Sequence, residues 1–197
     1  DSIDVGQLAY YDALNKLLKT IPINNWKVYL KANTIEAYAD DLSKTFVDAS
    51  FEYTKVLSGQ AVQKSRGEKM ANTIDYYLGE ALGQLYVKKY FSQDAKKRML
   101  ELVNNVQKAY AARIDKLEWM SNSTKQKAKE KLFAMTKKIG YPDKWIDYRN
   151  VHIARDTYFE NVVSASAAMY QRELAKLGKR VDKSEWFTTS STVTAYN

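Results

Sequence analysis

The sequence contains no cysteine, which removes disulfides, thiolate nucleophiles and cysteine-ligated zinc or iron–sulfur clusters from these 197 residues. It contains one histidine, His152, in the run NVHIARD. A zinc helix of the H-E-x-x-H kind needs more imidazoles than that, and no serine–aspartate pair stands at a recognisable spacing from His152. It reads as a surface or boundary residue. Seven glycines and two prolines leave few obligatory breaks in the chain. No apolar run approaches the roughly 18–20 residues of a membrane span, so no transmembrane segment is expected. The first residues, DSIDVGQLAYYDALNKLL, lack the charged start, apolar block and small-residue cleavage site of an export signal. Localisation is not legible from this end.

What is present has the balance of a globular protein: 45% hydrophobic and 27% charged residues in 22.7 kDa. That suits one domain or a fragment of a larger one, and a chain of this length buries about 70% of its unfolded surface when it folds alone. Thirty-one basic against 23 acidic residues give a net charge of +8 and a pI near 9.3. Such an excess steers nucleic acid or an anionic surface where it is concentrated. The densest stretch is Lys125, Lys127, Lys129, Lys131, Lys137 and Lys138, opposed within it only by Glu130. On a helix these lysines spread around the circumference, while Ala128, Leu132, Met135 and Ile139 form an apolar stripe. The pattern is that of a solvated helix face, and no helix-turn-helix, zinc-finger or aromatic RNA-binding signature accompanies it.

Apolar spacings of three and four predict helix after helix. The expected helices cover 7–20, ending before Pro22; 25–38; 41–58, stopped by Ser58-Gly59; a long helix after the polar run 60–66 reaching Phe91; and 94–119, with Ser92 as N-cap. A lysine-rich helix capped within Ser121-Asn122-Ser123-Thr124 is expected to run to Gly140, and a last one to span 154–177. Met99, Leu102, Val103, Val106, Tyr110, Ile114 and Leu117 make the clearest inward-facing stripe. Gly79 and Gly83, one turn apart, each cost about 1 kcal/mol relative to alanine inside a helix, and close approach of another helix is the expected compensation. Trp26, Trp119, Trp145 and Trp186 read as packing anchors. At the end, Thr192, Val193, Thr194 and Tyr196 favour a short extended strand.

Several phrases carry a resemblance. FEYTKVLSG at 51–59, LGEALGQLYVKKYF at 78–91, LEWMSNSTKQKAKEKL at 117–132, IGYPDKWIDY at 139–148, and VDKSEW followed by TVTAYN at 181–197 resemble, in order and separation, the neprilysin and endothelin-converting-enzyme family of zinc metallopeptidases. The chain departs from the family pattern in having Arg66-Gly67 where relatives often have arginine and tryptophan, and its lack of cysteine, with Met70 where animal members place one, points to a bacterial-type member.

The resemblance implies a mainly α fold. Residues 1–180 would be part of a helical domain capping a peptide chamber, and 181–197 the start of a thermolysin-like catalytic domain whose sheet the C-terminal strand would join. It also implies an exported enzyme, periplasmic, cell-surface or extracellular, that hydrolyses oligopeptides. The family's zinc-binding helix, later glutamate ligand and transition-state histidine lie downstream of the segment that TVTAYN resembles. The zinc would therefore be bound by residues outside this chain, on a complementary C-terminal fragment, and the chain alone would be inactive. The family's V-N-A-[FY] motif pairs with bound peptide as though adding a strand. It stands here as Val193-Thr194-Ala195-Tyr196. The resemblance makes Thr194 and Ala195 the expected substrate-binding residues, with threonine offering one hydroxyl in place of a carboxamide. Two alternatives stand beside this reading: a stand-alone helical binding protein on the same scaffold, and nucleic-acid binding through the lysine-rich helix.

Overall fold

The computed structural model describes residues 4–195. Among them the chain forms seven α-helices and one 3-10 turn, and it divides into two units, Asp1–Ser65 and Arg66–Asn197.

The first unit holds α1 (Leu8–Thr20), α2 (Ile23–Ala37), a 3-10 turn (Ala39–Asp41) and α3 (Lys44–Ser58). Pro22 separates the first two helices. A residue before proline is pushed out of the helical region, and Ile21 is accordingly extended at φ −81°, ψ 133°. Proline itself is preorganised for a helix start, so α2 begins at once, two residues earlier than its apolar spacing predicts. Gly59 ends α3 in the left-handed region at φ 71°, its N–H donating to the Lys55 carbonyl at 3.0 Å. Among the described residues of this unit, only Ala39 and Val47 are buried apolar residues. A groove of about 560 Å³ is lined by Tyr10, Leu14, Leu17, Trp26 and Tyr29 from α1 and α2.

The second unit holds α4 (Arg66–Tyr90), α5 (Gln93–Asp115), α6 (Asn122–Phe133) and α7 (Tyr158–Leu174). The expected caps form: Ser92 Oγ accepts from the Ala95 N–H at 3.2 Å, and Ser121 Oγ from the Thr124 N–H at 3.3 Å. Helix α5 packs on α6, and α4 on α7, where Val162 and Ala165 are buried. Arg66 places its guanidinium 5.8 Å from the Tyr158 ring centroid. Helix α4 is kinked at Leu78 (φ −123°, ψ 24°), directly before Gly79.

Helix α6 ends at Phe133, seven residues short of the predicted stop at Gly140. Gln107 on α5 explains this. Its Nε2 donates to the Leu132 carbonyl at 2.7 Å, while its Oε1 accepts from Lys137 Nζ, also at 2.7 Å. A side chain from a neighbouring helix thus satisfies a terminal carbonyl that continued helix would otherwise use. Residues 134–157 then run as irregular chain over α4. Tyr141 stacks on Trp145 with centroids 6.0 Å apart, and Phe91 meets Tyr141 edge-on.

The surface is large for the mass. The chain exposes 16238 Å², against about 9,500 Å² for one globule of this size and about 11,400 Å² for two separate globules the size of its units. Leu102, Val106 and Tyr110, predicted to face a core, are exposed on α5, and Trp119 is 77% exposed rather than an anchor. The apolar periodicity is real, but the described residues do not cover it.

The expected C-terminal strand is not formed among the described residues, which contain no strand at all. β-Branched residues favour extension, yet a ladder needs a second strand to receive its hydrogen bonds. Of the TVTAYN segment, Tyr196 and Asn197 lie outside the described residues.

Candidate functional site

The segment named by sequence as peptide-binding is reached through a polar seat on α4. Asp75, Gly79 and Gly83 stand at four-residue intervals, and across the kink at Leu78 Asp75 Oδ1 still lies 3.8 Å from where a Gly79 Cβ would stand, so the three share one face. Both glycines are buried, and a Cβ built on Gly79 would lie 2.2 Å from the Thr189 methyl. One built on Gly83 would lie 3.3 Å from the Trp145 ring and 3.4 Å from Ser190 Oγ. Close approach therefore does compensate these glycines, but what approaches is the 189–190 segment and Trp145, not another helix.

At the head of this face Asp75 accepts two hydroxyl hydrogen bonds, from Ser191 Oγ to Oδ1 at 2.8 Å and from Thr189 Oγ1 to Oδ2 at 3.2 Å. Thr189 Oγ1 also lies 2.9 Å from Ser191 Oγ and 2.9 Å from Thr192 Oγ1. The Thr192 N–H closes the turn on the Thr189 carbonyl at 3.1 Å. On the same helix Glu80, 9% exposed, accepts from the Ile146 N–H at 2.6 Å and so ties the irregular chain to α4. Burial pushes the nearby Tyr148 phenol above its usual pKa, opposed by a hydrogen bond with the Glu80 backbone and by Arg172.

Ser190, between the two anchors, has a buried Oγ with no hydrogen-bond partner among the described residues. An unsatisfied buried hydroxyl costs about 1–3 kcal/mol. Ser190→Ala should therefore be neutral or stabilising by about 1 kcal/mol, read as an unchanged or raised denaturation midpoint. A clear loss of stability would mean that the hydroxyl has a partner.

Beyond the turn the chain leaves the helix surface. Val193 is 98% exposed, and Thr194 and Ala195 are exposed as well. Sequence reasoning thus located the segment through its motif and missed the seat, because Asp75 lies more than a hundred residues earlier.

Other candidates resolve into local structure. His152 is exposed, its N–H donating to Ser164 Oγ at 2.9 Å. The lysine-rich run is largely engaged: Lys125 donates to the Asp115 carbonyl and Lys129 to its carboxylate, Lys127 pairs with Glu130, and Lys138 donates to the Glu185 carbonyl. Lys137 bridges Asn104 and Gln107. Two of these contacts are ion pairs, Lys127–Glu130 and Lys129–Asp115, while the bonds of Lys125, Lys137 and Lys138 go to neutral oxygens and leave their charge in place. Arg149 holds the exposed Asp147 carboxyl at a pKa of about 2 by side-chain and backbone hydrogen bonds. Among the described residues no group of three histidine, aspartate or glutamate side chains converges. With one exposed histidine and no cysteine, this donor set does not fit a zinc centre. No helix among the described residues is long and apolar enough to cross a membrane.

Comparison with known proteins gives this arrangement a context. Residues 1–142 match the N-terminal model of Peptidase family M13. The chain is 28% identical over its whole length to mouse membrane metallo-endopeptidase-like 1, spanning 27% of that protein. It is 31% identical to rabbit neprilysin over 79% of the chain and 22% of neprilysin. In structure, 93% of the chain superposes on the Mycobacterium tuberculosis zinc metalloprotease Zmp1 in its open state, with a TM-score of 0.84 and 38% identity, covering 29% of that protein. The inhibitor complex of Zmp1 gives a TM-score of 0.81. The chain thus spans about a quarter of the length of the relatives it matches. Its helices, its motifs and these matches agree, and the chain belongs to Peptidase family M13, the neprilysin-like metallopeptidases.

Proposed function

We propose that the chain is the helical, non-catalytic portion of a zinc metalloendopeptidase that cleaves oligopeptides. Residues 1–180 belong to the domain that caps the peptide chamber, and 181–197 begin the catalytic domain. Thr194 and Ala195 hydrogen-bond the backbone of a bound peptide, as an edge strand would once paired. Zinc and the groups that activate water are held by residues outside this chain, on a complementary C-terminal portion, and the whole is exported. The observation that carries the reading is the uncovered apolar surface of a chain that spans only about a quarter of its relatives' length. Such faces are what a segment buried within a larger enzyme presents.

The chain's own part in catalysis is then to bind, orient and enclose. Main-chain groups around Thr194 and Ala195 align the peptide, and the exposed position of this segment leaves those groups open to pairing. A metal contributes Lewis acidity and an activated water when bound.

Native mass spectrometry with metal analysis tests this. The complete protein should carry about one zinc per molecule and hydrolyse short peptides but not folded proteins, and chelation should abolish the activity until zinc is restored. The 197-residue chain alone should be zinc-free and inactive. A complete protein without zinc or peptidase activity would sink the proposal and leave a binding scaffold.

A further inference from the structure

We infer that Asp75 is a positioning residue for peptide binding: from α4 it anchors the 189–192 turn and thereby fixes where Thr194 and Ala195 stand. The inference rests on the peptide-binding role proposed for those two residues. Four observations carry it. First, both carboxylate oxygens are used, each by a different hydroxyl of the turn. A carboxylate accepting from hydroxyls makes charge-assisted bonds, stronger than neutral ones. Second, with the Thr189 and Ser191 hydroxyls both donating to Asp75, Thr192 Oγ1 at 2.9 Å is left to donate to Thr189 Oγ1, so one carboxylate orders three residues. Third, the contact is specific in shape. The turn can lie against α4 because Gly79 and Gly83, one and two turns beyond Asp75, present no side chain there. Fourth, among the described residues nothing else seats the segment after the turn, where Val193, Thr194 and Ala195 are exposed. Ser191 is three residues from Thr194, at most about 10 Å along an extended chain. The position of the peptide-binding residues therefore follows that of the turn.

The alternative is that the cluster merely closes a turn, and the two roles separate experimentally. In the complete protein, amide hydrogen exchange of residues 189–195 and the kinetics of short-peptide hydrolysis are measured for three variants. In Asp75→Ala, exchange across 189–195 should rise about tenfold and KM should rise about tenfold with kcat nearly unchanged, because apparent affinity falls with the fraction of binding-competent conformers. Asp75→Asn keeps a carbonyl acceptor and an amide that can donate to the second hydroxyl, so it should stay within about threefold of the parent in both readouts. Gly79→Ala reaches the same end from the other side. Its methyl meets Thr189 and lifts the turn, so KM should rise as in Asp75→Ala although the carboxylate is intact.

Unchanged exchange at 189–195 in both Asp75→Ala and Gly79→Ala overturns the anchor. Faster exchange with unchanged KM overturns the positioning role. If Asp75→Ala also loses protection in the α5–α6 pair, it has lost the fold, and Gly79→Ala then decides by the same two readouts. A parent protein that hydrolyses no peptide overturns the functional reading instead, and exchange alone still decides the anchor.

Discussion

The 197-residue chain by itself is expected to bind a hydrophobic dye strongly and to unfold over a broad denaturant range, with helical far-ultraviolet dichroism but weak near-ultraviolet signals. An unfolded chain of this mass exposes about 33,000 Å². The folded chain still exposes 16238 Å², so it buries about half of its surface where two independent globules the size of its units would bury about 65%. The apolar part of that deficit is specific. Leu102, Val106 and Tyr110 lie exposed on α5, and Tyr10, Leu17 and Tyr29 on the helices that line the groove of the first unit. At roughly 25 cal/mol per Å² of apolar surface, even a few hundred Å² left uncovered per face forfeits several kcal/mol, comparable to a whole domain's net stability. Dye fluorescence and the steepness of guanidinium unfolding measure this directly. In the complete protein the dye signal should be lost and the transition should sharpen. A lone chain that excludes the dye and unfolds sharply would show that these faces need no cover, and would favour the stand-alone binding scaffold.

Gly140→Ala should be the most damaging single methyl in the second unit. Gly140 sits at φ 71°, and a Cβ there would lie 2.4 Å from Cε1 and 2.9 Å from Cζ of Phe91, a ring itself packed edge-on against Tyr141. The left-handed conformation costs an L-residue about 1–2 kcal/mol, and overpacking adds about 1–3 kcal/mol, for a total of about 2–5 kcal/mol. Gly178 supplies the control. It has the same φ of 71° but open space where its Cβ would stand. Gly178→Ala should therefore lose only the backbone part, about 1–2 kcal/mol. Thermal denaturation of the two variants in the complete protein separates the contributions. Equal losses would mean that the Phe91 ring moves aside without cost. Restoring space with Phe91→Leu should recover part of the Gly140→Ala deficit, a coupling expected of residues in contact.

How much of this was legible in sequence depends on how far apart the interacting residues lie. The serine caps at 92 and 121 and the glycine stop at 59 are set by neighbours within a turn, and each forms where the local chemistry predicts it. The end of α6 departs from its local sequence signal because Gln107, on another helix, takes the Leu132 carbonyl. The stripe on α5 has the predicted periodicity but is exposed, since periodicity says that a face wants cover and not that this chain supplies it. Gly79 and Gly83 announced a close approach without naming the visitor. The candidate site divides the same way. Thr194 and Ala195 came from a motif resemblance, whereas Asp75 could not be recognised, because the hydroxyls that define its role stand 114 and 116 residues later. The strand has the composition of one but no partner among the described residues.

That separation also orders events during synthesis. Helix α4 leaves the ribosome with its Asp75-Gly79-Gly83 face bare, and the turn that fills it is translated more than a hundred codons afterwards. At about 5–20 residues per second, the wait is roughly 6–23 s, long against the microseconds in which a helix forms. Throughout that interval the α4 segment, whenever its helix forms, presents an unoccupied glycine groove, a surface that any early-binding chaperone or passing extended segment meets before the native turn arrives.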